Sequence, residues 1–210
     1  NPYECVGLIN QGPLGDDNRY YRLAGQNPHF QCVNHGIFIG GTGTVWSWGS
    51  NSTGQNGFNH DLATGNQMSF SFYDWYRSTD NGGTGVHTTP DGETPRVIQI
   101  EGGYSACMAL MNNGEVYHWG YGGHGQSGDG STSNRDFPVR VGGTNQNVYE
   151  ASNSSTHKFK DVRIKRIWVS SACSSYNSTT HSCYALDEDG EVWSWGYNGY
   201  GQLGNGNTTN

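Results

Sequence analysis

The chain is short of the residues that build helices, membrane spans and charged surfaces. Only 14% of its 210 residues are charged and 32% are hydrophobic, with three methionines and six prolines. No apolar run reaches the roughly 20 residues that a membrane helix needs. No window holds apolar residues at helical spacing, so a helical bundle is not expected. Lysine and arginine number 11 against 18 acidic residues, a net charge of −7. That balance excludes a phosphate-backbone binder, which needs clustered basic side chains. The one basic stretch, Lys158 to Arg166, alternates with apolar residues and reads as a strand with one wet face. No nucleophile elbow, P-loop, His-Glu-x-x-His or dinucleotide fingerprint occurs, so neither an enzyme nor a cofactor is expected. The absence of a Cys-x-x-Cys motif argues against a zinc site. Asp187-Glu188-Asp189 has only part of a calcium loop and sits in a hairpin turn, so no metal is expected there either.

Glycine and aromatics fill the gap. There are 33 glycines, and aromatics make up 13% with seven tryptophans and thirteen tyrosines. Disordered segments are poor in aromatics. Gly-rich turns between short aromatic strands point instead to an all-β fold. The aromatics recur in a box: Val45-Trp46-Ser47-Trp48-Gly49, Val116-Tyr117-His118-Trp119-Gly120 and Val192-Trp193-Ser194-Trp195-Gly196. Each box is followed by a Gly-Gln-x-Gly segment, at Gly54-Gln55-Asn56-Gly57, Gly125-Gln126-Ser127-Gly128 and Gly201-Gln202-Leu203-Gly204. Such recurrence means that one supersecondary unit is used again. The repeated Trp48, Trp119 and Trp195 are expected to pack between units. Gly49, Gly120 and Gly196 are expected to supply positive φ after the strand.

Upstream of the second and third boxes lie Cys107-Met108-Ala109-Leu110 and Cys183-Tyr184-Ala185-Leu186, then Asn113-Gly114 or Asp189-Gly190. Two short strands about such a turn form a β-hairpin. Ile37-Phe38-Ile39 fills the same place in the first unit. Thr94 to Ile98 and Phe137 to Val141 carry Pro and suit outer edge strands. Val97 to Gly103 matches Val162 to Trp168. Each unit is therefore about four antiparallel strands. One such sheet cannot bury both of its faces, and radial stacking of several is a β-propeller.

The order Pro-Val-x-Val, Ile-x-x-Ile, Cys-x-Ala-Leu, Asp-Gly-x-Val-x-x-Trp-Gly, Gly-Gln-Leu-Gly resembles the repeat of the regulator-of-chromosome-condensation (RCC1-like) propeller family. Asp189 to Gly206 matches best. Three repeats are expected, at 1–57, 94–130 and 131–210. Between the first two lies an insertion, 58–93, whose aromatic run includes Tyr73, Trp75 and Tyr76. The run is expected to be a strand on its own blade; the alternative is a contact surface. The resemblance implies a ring of about seven blades, which three boxes cannot close. Residues 204–210 stop where a Pro-Val strand should begin, and residues 1–8 resemble that strand. The expectation is that the 210 residues form one period of a tandem or polymeric assembly. A start at Asn1 without Met or a signal peptide is read as a processed product or a piece of something longer.

Four Asn-x-Ser/Thr sequons, at Asn51, Asn153, Asn177 and Asn207, lie in predicted loops and point to N-glycosylation. Of five cysteines, Cys173 and Cys183 flank a polar loop and are expected to pair, as are Cys5 and Cys32. Cys107 is then left as a buried thiol or an intermolecular partner. His118 is expected to be structural, and His124 and His181 to be solvated. Together these features predict a secreted, extracellular structural glycoprotein whose partners are copies of itself in a filament, sheath or coat. The alternative is an extracellular propeller module that binds proteins or glycans. Guanine-nucleotide exchange, the activity the resemblance implies, is disfavoured by the sequons, the cysteines and the acidic charge.

Overall fold

A computed structural model describes residues 35–39, 45–57, 68–70, 96–142, 159, 162–170 and 179–210. They contain ten strands: β1 (His35–Ile39), β2 (Val45–Gly49), β3 (Met68–Phe70), β4 (Val97–Gly102), β5 (Ala106–Met111), β6 (Val116–Gly120), β7 (Arg135–Arg140), β8 (Ile164–Val169), β9 (Ser182–Asp187) and β10 (Val192–Gly196). These form three antiparallel sheets, ordered β1-β2-β3, β4-β5-β6-β7 and β10-β9-β8. Each expected box is a strand, paired with the expected upstream strand. The turns behave as their residues require. Gly114 and Gly190 stand at φ +84° and +93°, where a Cβ would be strained.

The sheets stack face to face. Strand β5 is buried along its whole length, because neighbouring sheets cover both of its faces. Side chains alternate across a strand. Cys107, Ala109 and Met111 therefore join Tyr117 and Trp119 against Ile37, Ile39 and Val45 of the first sheet. Met108, Leu110 and Val116 face the other way, onto Ile164, Ile167, Cys183 and Ala185 of the third. Near the inner edge the Gln99 amide grips the third sheet twice. Its Nε2 donates to the Ile167 carbonyl at 2.7 Å, and its Oε1 accepts from the Ile167 N–H at 3.1 Å. Strands β4 and β8 share a bulge at their starts. It explains why the basic stretch buries Ile164 and Ile167 while Lys165 and Arg166 stay exposed.

The sheets are offset from the repeats read in the sequence. Strand β7 pairs with β6, so the second unit runs past residue 130 and takes in the Pro138 strand, which is an outer edge as predicted. Within the expected insertion, β3 pairs with β2 and belongs to the first blade. Tyr73, Trp75 and Tyr76 lie outside the described residues.

Candidate functional site

The chemistry-bearing side chains gather at the seams between blades. At the first seam, the Trp119 indole N–H donates to the Gln55 carbonyl at 3.0 Å, and the Cys107 thiol reaches the same oxygen at 3.4 Å. The second seam repeats the arrangement. Trp195 donates to the Gln126 carbonyl at 2.8 Å, with Cys183 at 3.8 Å. Gln55 and Gln126 thus present their backbone oxygens to the tryptophan and cysteine of the next blade, whereas the Gln202 carbonyl accepts from the Tyr184 hydroxyl of its own blade at 3.0 Å. Each glutamine side chain folds back on its own loop: Gln55, Gln126 and Gln202 each accept a backbone N–H from the residue two before.

Gly49, Gly120 and Gly196 stand at φ +99°, +96° and +95°, as expected. Trp48 is placed in β2, but its side chain lies outside the described residues, as do Cys5, Cys32, Cys173, Asn153 and Asn177. Asn51 is half-buried, and its Oδ1 accepts from the Asn56 N–H at 2.9 Å. Its counterpart Asn198 is fully buried and closes the third loop on Leu203. The Asn51 sequon therefore coincides with a loop-closing position. Asn207 is exposed.

Cys183 corrects an expectation. It is a free, fully buried thiol rather than a disulfide partner, because it occupies the seam position that Cys107 fills one blade earlier. Cys107 is likewise fully buried at its seam. Burial pushes the Cys183 thiol far up from its ordinary pKa. His181 is also corrected: it is buried rather than solvated. His124 is half-buried and packs on Tyr197, with centroids 4.9 Å apart. Tyr197 in turn meets Tyr200, which is 85% exposed. Asp187 is structural: its carboxylate accepts from the Trp193 indole at 2.9 Å and from the Glu191 N–H at 2.8 Å. These donors, the indole first, hold its pKa below the ordinary carboxylate value.

His35 lies at the first seam with Nε2 3.1 Å from the Cys107 sulfur. Burial lowers its pKa to about 4, so the folded state keeps it neutral where the unfolded chain, near pKa 6.5, binds a proton. Its contribution is present in full above about pH 6.5 and is lost as pH falls toward 4, at about 1.4 kcal/mol per pH unit. Urea unfolding across that range is expected to show this slope, and His35→Asn to flatten it by one histidine's share. Equal slopes in the two proteins would contradict it.

Sequence reading passed over one cluster. His118 from β6, His181 just before β9 and Cys183 on β9 meet at the second seam, their ligand atoms all within 4.8 Å of one another. The hint in the sequence was His118, which stands where the sister boxes carry Ser47 and Ser194.

The pattern described as "Regulator of chromosome condensation (RCC1) repeat" matches residues 97–126, 113–162 and 173–202. The matched segments are RCC1 repeats. The human E3 ubiquitin-protein ligase HERC2 is 27% identical over 173 residues, covering 82% of this chain and 3% of the ligase. Human WBSCR16 shares the fold with a TM-score of 0.56 at 19% identity, over 85% of this chain and 36% of that one. Prp20p of Saccharomyces cerevisiae, described with its binding to Gsp1p and histones, gives 0.52 at 20% identity, over 81% and 32%. The RCC1-repeat chain thus spans only a small part of these relatives, and the propeller blade is its architecture.

Proposed function

We propose that this chain is a non-catalytic, secreted glycoprotein of RCC1 repeats that assembles with copies of itself into an extracellular filament, sheath or coat. The observation that carries the reading is the outward face of the third blade. Val116 in the second blade is 1% exposed beneath its neighbour, whereas the equivalent Val192 is 70% exposed. In the described residues β10 also has no partner on its far side, where β6 has β7. An open edge beside an apolar face is a template for another sheet. A further blade of the same kind, from a second copy, fits it. Secretion rests on the sequons, of which that at Asn207 is exposed; the buried thiols lend it no support.

Sedimentation is expected to show oligomers for the wild type and monomers for Val192→Asp, with unchanged circular dichroism. Wild-type protein that sediments only as a monomer would overturn the reading. A second reading, a module that binds another protein, is favoured by the aromatic loop cluster of Tyr121, His124, Tyr197 and Tyr200. It would stand if the wild type is monomeric and Tyr200→Ala abolishes capture of a partner.

A further inference from the structure

The second seam carries a histidine where the repeat calls for a serine, and that histidine does none of the serine's work. In the first blade Ser47 Oγ donates to the Asn56 carbonyl at 2.8 Å, and in the third Ser194 Oγ donates to the Leu203 carbonyl at 2.9 Å. Each hydroxyl ties the box to its own Gly-Gln-x-Gly segment. His118 makes no such bond. It points to the opposite side from Trp119, into the seam with the third blade, where His181 and Cys183 approach it.

Both rings are fully buried, His118 at 0% and His181 at 1% exposure. Among the described residues, neither Nδ1 nor Nε2 of either ring has a hydrogen-bond partner. The rings lie nearly parallel, 15° apart, with centroids 5.8 Å apart. A buried polar group without a partner is expensive, and buried groups of this kind are rare. Four unpartnered imidazole nitrogens beside one thiol are poorly explained as packing alone. Burial disfavours the imidazolium, so both rings present neutral lone pairs.

We propose that His118, His181 and Cys183 form a binding site for a divalent transition-metal cation of the zinc class, bridging the second and third blades. Imidazole nitrogen and thiolate sulfur are the donors such ions prefer. Zinc bonds of about 2.0–2.1 Å to nitrogen and 2.3 Å to sulfur require the three atoms to draw in by about 1 Å from their present spacing. Three protein ligands leave a fourth position open. The thiol must lose its proton to bind, so metal uptake releases one proton to solvent and weakens as pH falls. With ligands from two blades, the ion would staple a seam held otherwise by packing and a few hydrogen bonds.

The test is cobalt and zinc titration of the full chain after chelator treatment. Wild type is expected to bind one Co2+ with a thiolate-to-cobalt charge-transfer band, and Zn2+ to raise its Tm. His118→Ser restores the residue of the sister boxes and is expected to fold, to lose the band and to gain no Tm from Zn2+. Cys183→Ala is expected to lose the band as well. Absence of the band in wild type, or its persistence at full intensity in either variant, would overturn the site. Zinc X-ray absorption on wild type gives a check that needs no variant. One sulfur with imidazole scattering is expected, and a shell without sulfur would equally overturn it.

Discussion

Replacing Trp119 with alanine is expected to lower the unfolding free energy by about 3–5 kcal/mol, the range for emptying a large aromatic site in a packed core. Trp119 is the largest fully buried side chain among the described residues. It lies between the first and second blades among Ile37, Val45, Val97 and Met111, and its indole holds the Gln55 carbonyl. No neighbour is free to collapse into the space, because β5 and β6 are pinned by pairing on both sides. Trp195 makes the same hydrogen bond at the next seam but is only half-buried, so Trp195→Ala should cost clearly less. Chemical unfolding of the two variants decides the point. A loss below about 1 kcal/mol for Trp119→Ala, or equal losses for both, would show that the seam is not held by this burial.

The second large effect is expected from Gly120→Ala, with Gly196→Ala as its comparison. Both glycines sit near φ +95°, which costs an L-residue about 1–2 kcal/mol. At Gly120 a Cβ would also lie 2.5 Å from the Ser105 carbonyl oxygen and 2.6 Å from Ala106 Cα. Those are backbone atoms of the paired strand and cannot swing aside, so overpacking adds about 1–3 kcal/mol. At Gly196 the nearest atoms are the Gln126 Cγ at 3.1 Å and the His181 carbonyl oxygen at 3.3 Å, tight contacts that a shift of a few tenths of an ångström relieves. Gly120→Ala should therefore lose stability, or fail to fold, where Gly196→Ala shows only the conformational cost. Equal unfolding midpoints for the two variants would remove the close-approach argument and leave φ alone.

Sequence and structure diverge at identifiable places. The hairpins were legible because Asn113-Gly114 and Asp189-Gly190 require a tight turn whatever surrounds them, and the valine-to-tryptophan boxes alternate as strands do. The pairing of β7 with β6 was not legible in the sequence, because β7 reaches β6 through a loop and pairing across a loop leaves no local mark. His181 and Cys183 were misread for a related reason. The polar loop before them suggests solvent and a short disulfide, but the register of β9 turns Cys183 into the seam, where Gln126 of the preceding blade meets it.

The amino-acid sequence by itself determined the strands, their turns and the repeat, since backbone conformation and side-chain alternation are decided over a few neighbouring residues. Only the tertiary structure decided which faces meet. The convergence of His118 with His181 and Cys183, and the contrast between buried Val116 and exposed Val192, arise from how one sheet lies on the next. Contacts across a seam join residues far apart in the chain, and no local pattern of sequence encodes them.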